Sequence, residues 1–200
     1  MGDAGHRRGA VEIERVETLS DNHYRLDNVV FVYTRRDGTR QTLRREVYHN
    51  GPGAAVLLLD PAGETVVLTR QFRVPAYVNG DAPRLVEACA GVVDQGDDPA
   101  ETARKEAEQE TGYPIRDLRK VFELYMSPGA SAEKLHLFVA TYDPSGPKGE
   151  GGGQHGEGED IEVLEVPLAR AWAMVEAGEI VDAKTVLLLQ HIWLGGNGRR

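Results

Sequence analysis

Two glutamates one helical turn apart, Glu106 and Glu110, have a spacing that allows metal chemistry. Residues four apart share one face of a helix, and like charges there destabilise it by about 0.2–0.5 kcal/mol. A solvated acidic surface tolerates that cost. Two such carboxylates also supply the oxygen ligands that hard divalent cations require. The pair therefore leaves two interpretations open, a solvated face or a metal site.

The helix that carries this pair has clear end signals. Asp98 is suited to the N-cap, Pro99 to the first helical position, and Glu101 completes a capping-box-like pair with Asp98. Gly112 and then a proline end the helix. The sequence thus predicts one helix from residue 99 to the glycine.

Hydrophobic patterns elsewhere predict an α+β domain preceded by a β-hairpin arm. Two hairpins are predicted at residues 25–50 and 54–72, and further strands at 84–90, 118–126, 134–142 and 160–166. Two terminal helices are predicted at residues 168–177 and 182–194, each closed by glycine. We expect a partly disordered tail and the start of the arm at residues 1–18, the arm at 19–50 and the main domain at 51–195.

Residues 145–158 contain seven glycines in fourteen positions, which predicts a mobile loop. Glu157 and Glu159 lie at its acidic end. Composition alone favours solvated linker charges for both. The alternative is a gate that carries a carboxylate toward a bound substrate.

Composition argues against several classes of protein. The net charge is −9 and the isoelectric point about 5.2, whereas nucleic acids and anionic membranes attract basic surfaces. No apolar run approaches the roughly 20 residues of a membrane span, and the first ten residues lack a secretory signal. The single cysteine, Cys89, excludes an internal disulfide. We expect a soluble cytoplasmic protein that binds neither nucleic acid nor membrane.

Residues 90–113 resemble the Nudix box, a 23-residue motif in which a glycine loop leads into a helix with several glutamates. The spacing is complete, with conservative departures at Asp97 and Lys105. A larger departure is Gln109, which stands where the family has a glutamate and removes one of three helix carboxylates. The matched positions are Gly91, Asp97, Lys105, Glu106, Ala107, Gln109, Glu110, Gly112 and Tyr113.

Further segments between residues 19 and 190 resemble the GDP-mannose pyrophosphatase branch of the Nudix hydrolases, which is related to the ADP-ribose pyrophosphatases. They lie at residues 19–22, 45–48, 70–73, 78–80, 122–129, 159–165 and 184–188. The resemblance implies a Nudix α/β/α sandwich with an N-terminal β arm. It also implies a homodimer in which the arm completes the partner's site.

The same resemblance implies a Mg²⁺-dependent enzyme, with Mn²⁺ as a substitute, that cleaves a nucleoside diphosphate sugar. GDP-mannose would give GMP and mannose 1-phosphate, and the alternative substrate is ADP-ribose, giving AMP and ribose 5-phosphate. A non-catalytic ligand-binding domain is a third interpretation, which Gln109 motivates and Glu106 and Glu110 oppose. The implied metal ligands are the Ala90 carbonyl, Glu106, Glu110 and Glu159, and the choice of general base between Glu157 and Glu159 stays open.

The resemblance also implies a set of substrate-binding residues. Arginine suits phosphate oxygens, although adjacent arginines on a strand also protect an exposed edge, an interpretation that stays open for Arg44. Whether His23 or Tyr24 reaches the partner's site is likewise open. The implied set is His23, Arg44, Arg45, Glu46, Arg73, Ala90, Gly91, Val92, Glu133 and Lys184.

Overall fold

The computed structural model describes residues 10–60, 62, 64–154, 156 and 158–196. The chain divides into two compact units. The first unit contains the described residues up to Gly51 together with Ser127–Glu133, and the second contains Pro52–Met126 and the described residues from Lys134 onward. Each unit has its own β-sheet.

The first unit is an antiparallel sheet of β1 (Val11–Asp21), β2 (Arg25–Thr34) and β3 (Arg40–His49), in that spatial order. The pair β2–β3 is the predicted hairpin arm, and Gly38 in its turn has φ +85°. Strand β1 was not predicted. Its pairing shifts register twice, after Ile13 and after Thr18, and such bulges interrupt the alternation by which a strand is recognised.

The second unit is built on a mixed sheet. Its strands are β4 (Gly53–Leu59), β5 (Thr65–Phe72), β6 (Arg84–Glu87), β7 (Cys89–Val92), β8 (Ile115–Tyr125), β9 (Lys134–Tyr142) and β10 (Glu162–Pro167). The main spatial order is β10-β5-β4-β9-β8, with β6 paired to β5 and β7 to β4. Strands β4 and β9 are parallel, and the other pairs are antiparallel. The strand predicted at residues 84–90 is therefore two short strands on different neighbours.

Helices cover both faces of this sheet, which confirms the Nudix α/β/α sandwich. Successive residues of β4 point to opposite faces, and the whole strand is buried. Leu57 packs with α3 (Leu168–Glu176) and α4 (Ala183–Trp193), while Leu58 packs on the side of α2 (Pro99–Glu106). A short helix α1 (Val74–Val78) follows β5. None of the described helices has the length and apolar character needed to cross a bilayer.

Helix α2 begins at the predicted N-cap and proline and ends in an unexpected form. The Asp98 carboxylate accepts the Ala100 N–H at 2.9 Å, and Pro99 occupies the first turn. From Ala107 to Thr111 the helix widens into a π-helical turn, which ends at Gly112 with φ +78°. Such turns are rare and occur frequently at functional sites.

Candidate active site

One pocket of about 310 Å³ in the second unit brings together the loop and the helix of the Nudix-box resemblance. It lies where β7 meets α2, beside the end of β5 and the end of the glycine-rich loop. Most of its lining is polar or charged. The lining residues are Arg73, Ala90, Gly91, Val92, Asp94, Lys105, Glu106, Gln154 and Glu159.

Gly91 allows the side chain of Glu106 to lie directly against β7. A Cβ atom at position 91 would stand 2.3 Å from the Glu106 carboxyl carbon, a distance that real side chains do not adopt. Glycine at this position is therefore a packing requirement. The close approach fixes where the Glu106 carboxylate enters the pocket.

Glu110 lies beneath this strand and is only 1% exposed. Its carboxylate accepts the Ala90 N–H at 3.3 Å and has a hydrogen bond with the Cys89 thiol. Burial, together with the negative charges of Glu106 and Glu159, raises the pKa of Glu110 to about 7, against the lowering effect of the two hydrogen bonds. The three carboxylates are thus close enough to influence one another.

Glu159 reaches the same pocket from the other side. Its carboxylate accepts the backbone N–H of Gln154 at 2.7 Å, and the side chain is half-buried. The structure therefore brings Glu106, Glu110 and Glu159 to one region, together with the backbone of Ala90. Glu157, the other candidate base, lies outside the described residues.

These groups fit a divalent cation in donor chemistry, since carboxylates and a backbone carbonyl are the ligands of hard cations. Burial and the neighbouring charges raise the pKa of Glu110, so a cation beside this carboxyl group would favour its ionised form. Among the described residues, no three acidic, histidine or cysteine side chains form a preassembled metal cage. Mg²⁺ does not need one, because it keeps several waters and binds through one or two carboxylates.

Arg73 is held at the pocket by a buried partner, Glu87. The guanidinium donates from Nε and Nη2 to the two Glu87 oxygens, at 2.8 and 2.9 Å. Such a bidentate pair fixes the plane of the guanidinium. Burial opposes ionisation of Glu87, but the hydrogen bond from Arg73 and the charge of Lys184 outweigh it and lower the pKa.

Lys184, a predicted substrate-binding residue, lies in the same network. Its ammonium donates to Glu87 at 2.7 Å and to Asp182 at 3.0 Å. Asp182 in turn caps α4 by accepting the Thr185 N–H at 3.0 Å. The Thr185 hydroxyl accepts the Ala88 N–H at 2.7 Å, which ties α4 to the junction between β6 and β7. A substrate role for Lys184 stays a prediction.

The remaining predicted residues lie in the first unit. His23 is exposed and its ring lies 4.3 Å from that of Tyr24, which contacts Tyr48 in turn. Glu133 is half-buried, and its N–H donates to the Ser131 hydroxyl at 3.0 Å. Arg44, Arg45 and Glu46 are consecutive exposed residues of β3. Their roles toward substrate stay predictions.

Sequence reasoning missed Glu87 and Asp182, which position Arg73 and Lys184. A signal for Glu87 was present, because a charged residue within the apolar run at residues 85–90 must either be buried with a partner or interrupt the strand. The predicted last helix includes Asp182, although an aspartate that begins a helix is a typical cap. The positions of Asp182 and Lys184 in the sequence did not indicate the hydrogen bond between their side chains.

Comparison with known protein families identifies the family to which this protein belongs. Residues 49–189 match the NUDIX domain, and residues 10–48 match the family described as the GDP-mannose pyrophosphatase NudK N-terminal domain. The first match covers more than half of the chain, and it contains the pocket described above. The chain belongs to the Nudix family and is a Nudix hydrolase.

Two named proteins and one solved structure are similar to this chain over most of its length. A protein from Cronobacter sakazakii named GDP-mannose pyrophosphatase is 50% identical over 187 residues, which cover 93% of this chain and 96% of that protein. One of the same name from Escherichia coli is 48% identical over 183 residues, covering 91% and 94%. A crystal structure of an ADP compounds hydrolase covers 95% of this chain and 97% of its own, with a TM-score of 0.68 at 23% identity. That likeness shows the shared fold.

The raised pKa of Glu110 predicts an unusual pH dependence for the metal-free protein. Between the ordinary pKa of 4.5 and the folded value of about 7, the unfolded chain releases this proton while the folded chain keeps it. Stability is therefore lost as the pH rises through that window. At about 1.4 kcal/mol per pKa unit, the loss is about 3 kcal/mol.

Urea denaturation in the presence of a chelator measures this effect. The reference is Glu110→Gln, which does not titrate, so the stability difference between the two proteins isolates the carboxyl group. A difference that stays constant from about pH 5 to about pH 8 would contradict the assignment.

The buried network predicts a large cost for removing the Glu87 charge. Glu87→Gln keeps the shape but leaves Arg73 and Lys184 without their shared anion. We expect a loss of about 3–5 kcal/mol in the free energy of unfolding. The control is Asp160→Asn, which breaks the exposed pair of Asp160 and Arg84, and should change stability by less than about 1 kcal/mol. Equal effects of the two substitutions would show that the network is not stabilising.

Proposed function

We propose that this Nudix hydrolase is a Mg²⁺-dependent pyrophosphohydrolase of nucleoside diphosphate sugars, with GDP-mannose as its substrate and GMP and mannose 1-phosphate as its products. The observation that carries the proposal is the pocket in which Glu106, Glu159 and Arg73 surround the backbone of Ala90 and Gly91. The choice of GDP-mannose is supported by relatives of that name at about half identity over nearly the whole chain. ADP-ribose is the alternative substrate.

The residues that would hold Mg²⁺ are Glu106, Glu110, Glu159 and the Ala90 carbonyl, and Mn²⁺ would use the same oxygen donors. When bound, such an ion neutralises phosphate charge and favours the ionised form of a coordinated water. Glu110 must lose its proton to act as a metal ligand, and the hydrogen bonds from the Ala90 N–H and the Cys89 thiol favour its charged form. Metal binding and proton release are therefore coupled at this carboxyl group.

Arg73 supplies the positive charge that the pyrophosphate needs on the protein side of the pocket. Glu87 occupies its Nε and Nη2, so the guanidinium cannot swing away and its remaining N–H groups are available to phosphate oxygens. Hydrolysis adds water across one P–O bond, and the bridging oxygen leaves with the other phosphate. Glu159 is positioned for proton transfer or metal binding, and Glu157 remains the second candidate for the base.

The cellular setting is part of the same proposal. The single cysteine, Cys89, is buried, and its thiol has a hydrogen bond with Glu110. A free thiol of this kind suits a reducing compartment. We place the enzyme in the cytoplasm, where sugar nucleotides would reach it as free small molecules. Neither nucleic acid nor membrane is needed as a partner.

A turnover screen tests the function. GDP-mannose, ADP-ribose and UDP-glucose are incubated with the protein and Mg²⁺, and the released monophosphates are separated and quantified. We expect GDP-mannose to give the highest kcat/KM. Glu106→Gln and Glu110→Gln should each lower kcat about 1,000-fold, because they remove several kcal/mol of charge stabilisation.

The control for this screen is Glu108→Gln, which changes an exposed glutamate of the same helix and should leave the rate unchanged. Highest activity on ADP-ribose would replace the proposed substrate with the alternative. Near-parental turnover by Glu110→Gln at saturating Mg²⁺ would contradict the site, and no turnover by the parent enzyme would support a non-catalytic domain.

We also propose a homodimer formed through the first unit. Strand β1 leaves four apolar side chains substantially exposed, a pattern typical of a surface that another chain covers. The exposed residues are Val11, Ile13, Val16 and Leu19, at 47–66% of their full accessibility.

Light scattering after gel filtration tests the dimer. Ile13→Glu places a charge in the apolar surface and should shift the protein toward monomer by at least about 10-fold in dissociation constant. The neighbouring Glu14→Gln is the control and should not change the assembly. A full-length protein that is monomeric and fully active in dilute solution would contradict the proposal.

A further inference from the structure

The glycine-rich loop is docked on the carboxyl end of the Nudix helix. We use the term glycine segment for residues 149–153. Gly149 N–H donates to the Gly112 carbonyl at 2.8 Å, Gly152 N–H to the Glu110 carbonyl at 2.8 Å, and Gly153 N–H to the Gln109 carbonyl at 3.1 Å. Three backbone hydrogen bonds therefore join the loop to the last turn of the helix.

These bonds satisfy carbonyl groups that a helix end leaves without partners. The accepting carbonyls belong to the π-helical turn from Ala107 to Thr111 and to the left-handed Gly112. The loop thus acts as the cap of the helix that carries Glu106 and Glu110. The unexpected π-helical turn and the glycine-rich composition have one structural explanation.

The glycines are required by this contact. Gly151, Gly152 and Gly153 have φ values of +63°, +87° and +80°, which only glycine adopts without strain. A Cβ atom on Gly151 would lie 2.8 Å from the Thr111 carbonyl carbon and 3.0 Å from the Gly112 nitrogen. Any side chain at position 151 would therefore push the loop away from the helix.

The dock continues directly to Glu159. Gln154 follows the glycine segment and donates its backbone N–H to the Glu159 carboxylate at 2.7 Å, while Ile161 N–H donates to the Gly152 carbonyl at 3.3 Å. The Gln154 side chain also donates to the Gln109 side-chain oxygen at 3.4 Å. A continuous set of bonds thus leads from the helix to the carboxylate in the pocket.

We propose that the glycine segment is a positioning element that fixes Glu159 at the pocket, and that Gln109 belongs to this dock. Gln109 stands where the Nudix box has a glutamate, and its carbonyl and side chain both bond to the loop. The catalytic meaning of the dock rests on the proposed function. Its structural part, the dependence of the loop on the glycines and on Gln109, is independent of any substrate.

Amide hydrogen exchange by NMR in the metal-free protein tests the structural part. Gly151→Ala should accelerate exchange of the Gly149, Gly152 and Gly153 amides by at least about 10-fold. The control is Gly156→Ala, where an added Cβ has no described residue within 4 Å and the backbone is not left-handed. The control should leave those amides unchanged, and equal exchange in the two variants would overturn the proposal.

A second substitution guards against loss of folding. If Gly151→Ala does not fold, Gly152→Ala keeps the space, since its Cβ would lie 3.8 Å from the nearest atom, and adds only backbone strain. Gln109→Met removes the side-chain acceptor at similar volume and should accelerate exchange of the Gln154 side-chain amide protons. Unchanged exchange there would exclude Gln109 from the dock.

Kinetics test whether the dock acts through Glu159. In the parent enzyme, Gly151→Ala should lower kcat at least about 10-fold with little change in KM. The reason is that Glu159 would no longer be held where it interacts with the transition state. In a Glu159→Gln background the same substitution should have no further effect on kcat. Additive losses would show that the segment does not act through Glu159. If the parent hydrolyses none of the sugar nucleotides, the proposed function fails, while the exchange data still decide the dock.

Discussion

The candidate active site depends on one unfavourable arrangement, the burial of the Glu110 carboxyl group beneath β7. A carboxylate out of water is costly, and the neighbouring charges of Glu106 and Glu159 add to the cost. The fold offsets part of it with two hydrogen bonds, from Ala90 and Cys89. A divalent cation at the proposed metal site would offset the remaining cost.

The surrounding structure holds this arrangement in place. On one side, Gly91 brings Glu106 against the strand, and the glycine segment caps the helix end. On the other side, Glu87 joins Arg73 and Lys184, and Thr185 fixes the junction between β6 and β7. Arg73, which lines the pocket, is therefore anchored by a buried anion that also binds Lys184.

The features of the fold that the sequence predicted depend on local interactions, and the features that it did not predict depend on contacts between distant residues. Caps, glycine stops and apolar runs act locally, so the start of α2 at Asp98 and the α+β class were predictable from them. The sandwich was implied by the resemblance to the Nudix family. The bulges of β1 and the split between β6 and β7 depend on pairing partners far along the chain. The role of Glu87 required knowing that Arg73 and Lys184, 111 positions apart, converge on it. The loop was predicted to be mobile from its glycines, whereas here those glycines form specific contacts.

The location of the metal tests the central claim most directly. Crystals soaked with Mn²⁺, which replaces Mg²⁺ and scatters anomalously, would show where the ion binds. The account predicts an anomalous peak in contact with Glu106, Glu110 and the Ala90 carbonyl, which disappears in Glu110→Gln crystals. A peak at other residues, or an active enzyme whose only peak persists in that variant, would contradict it.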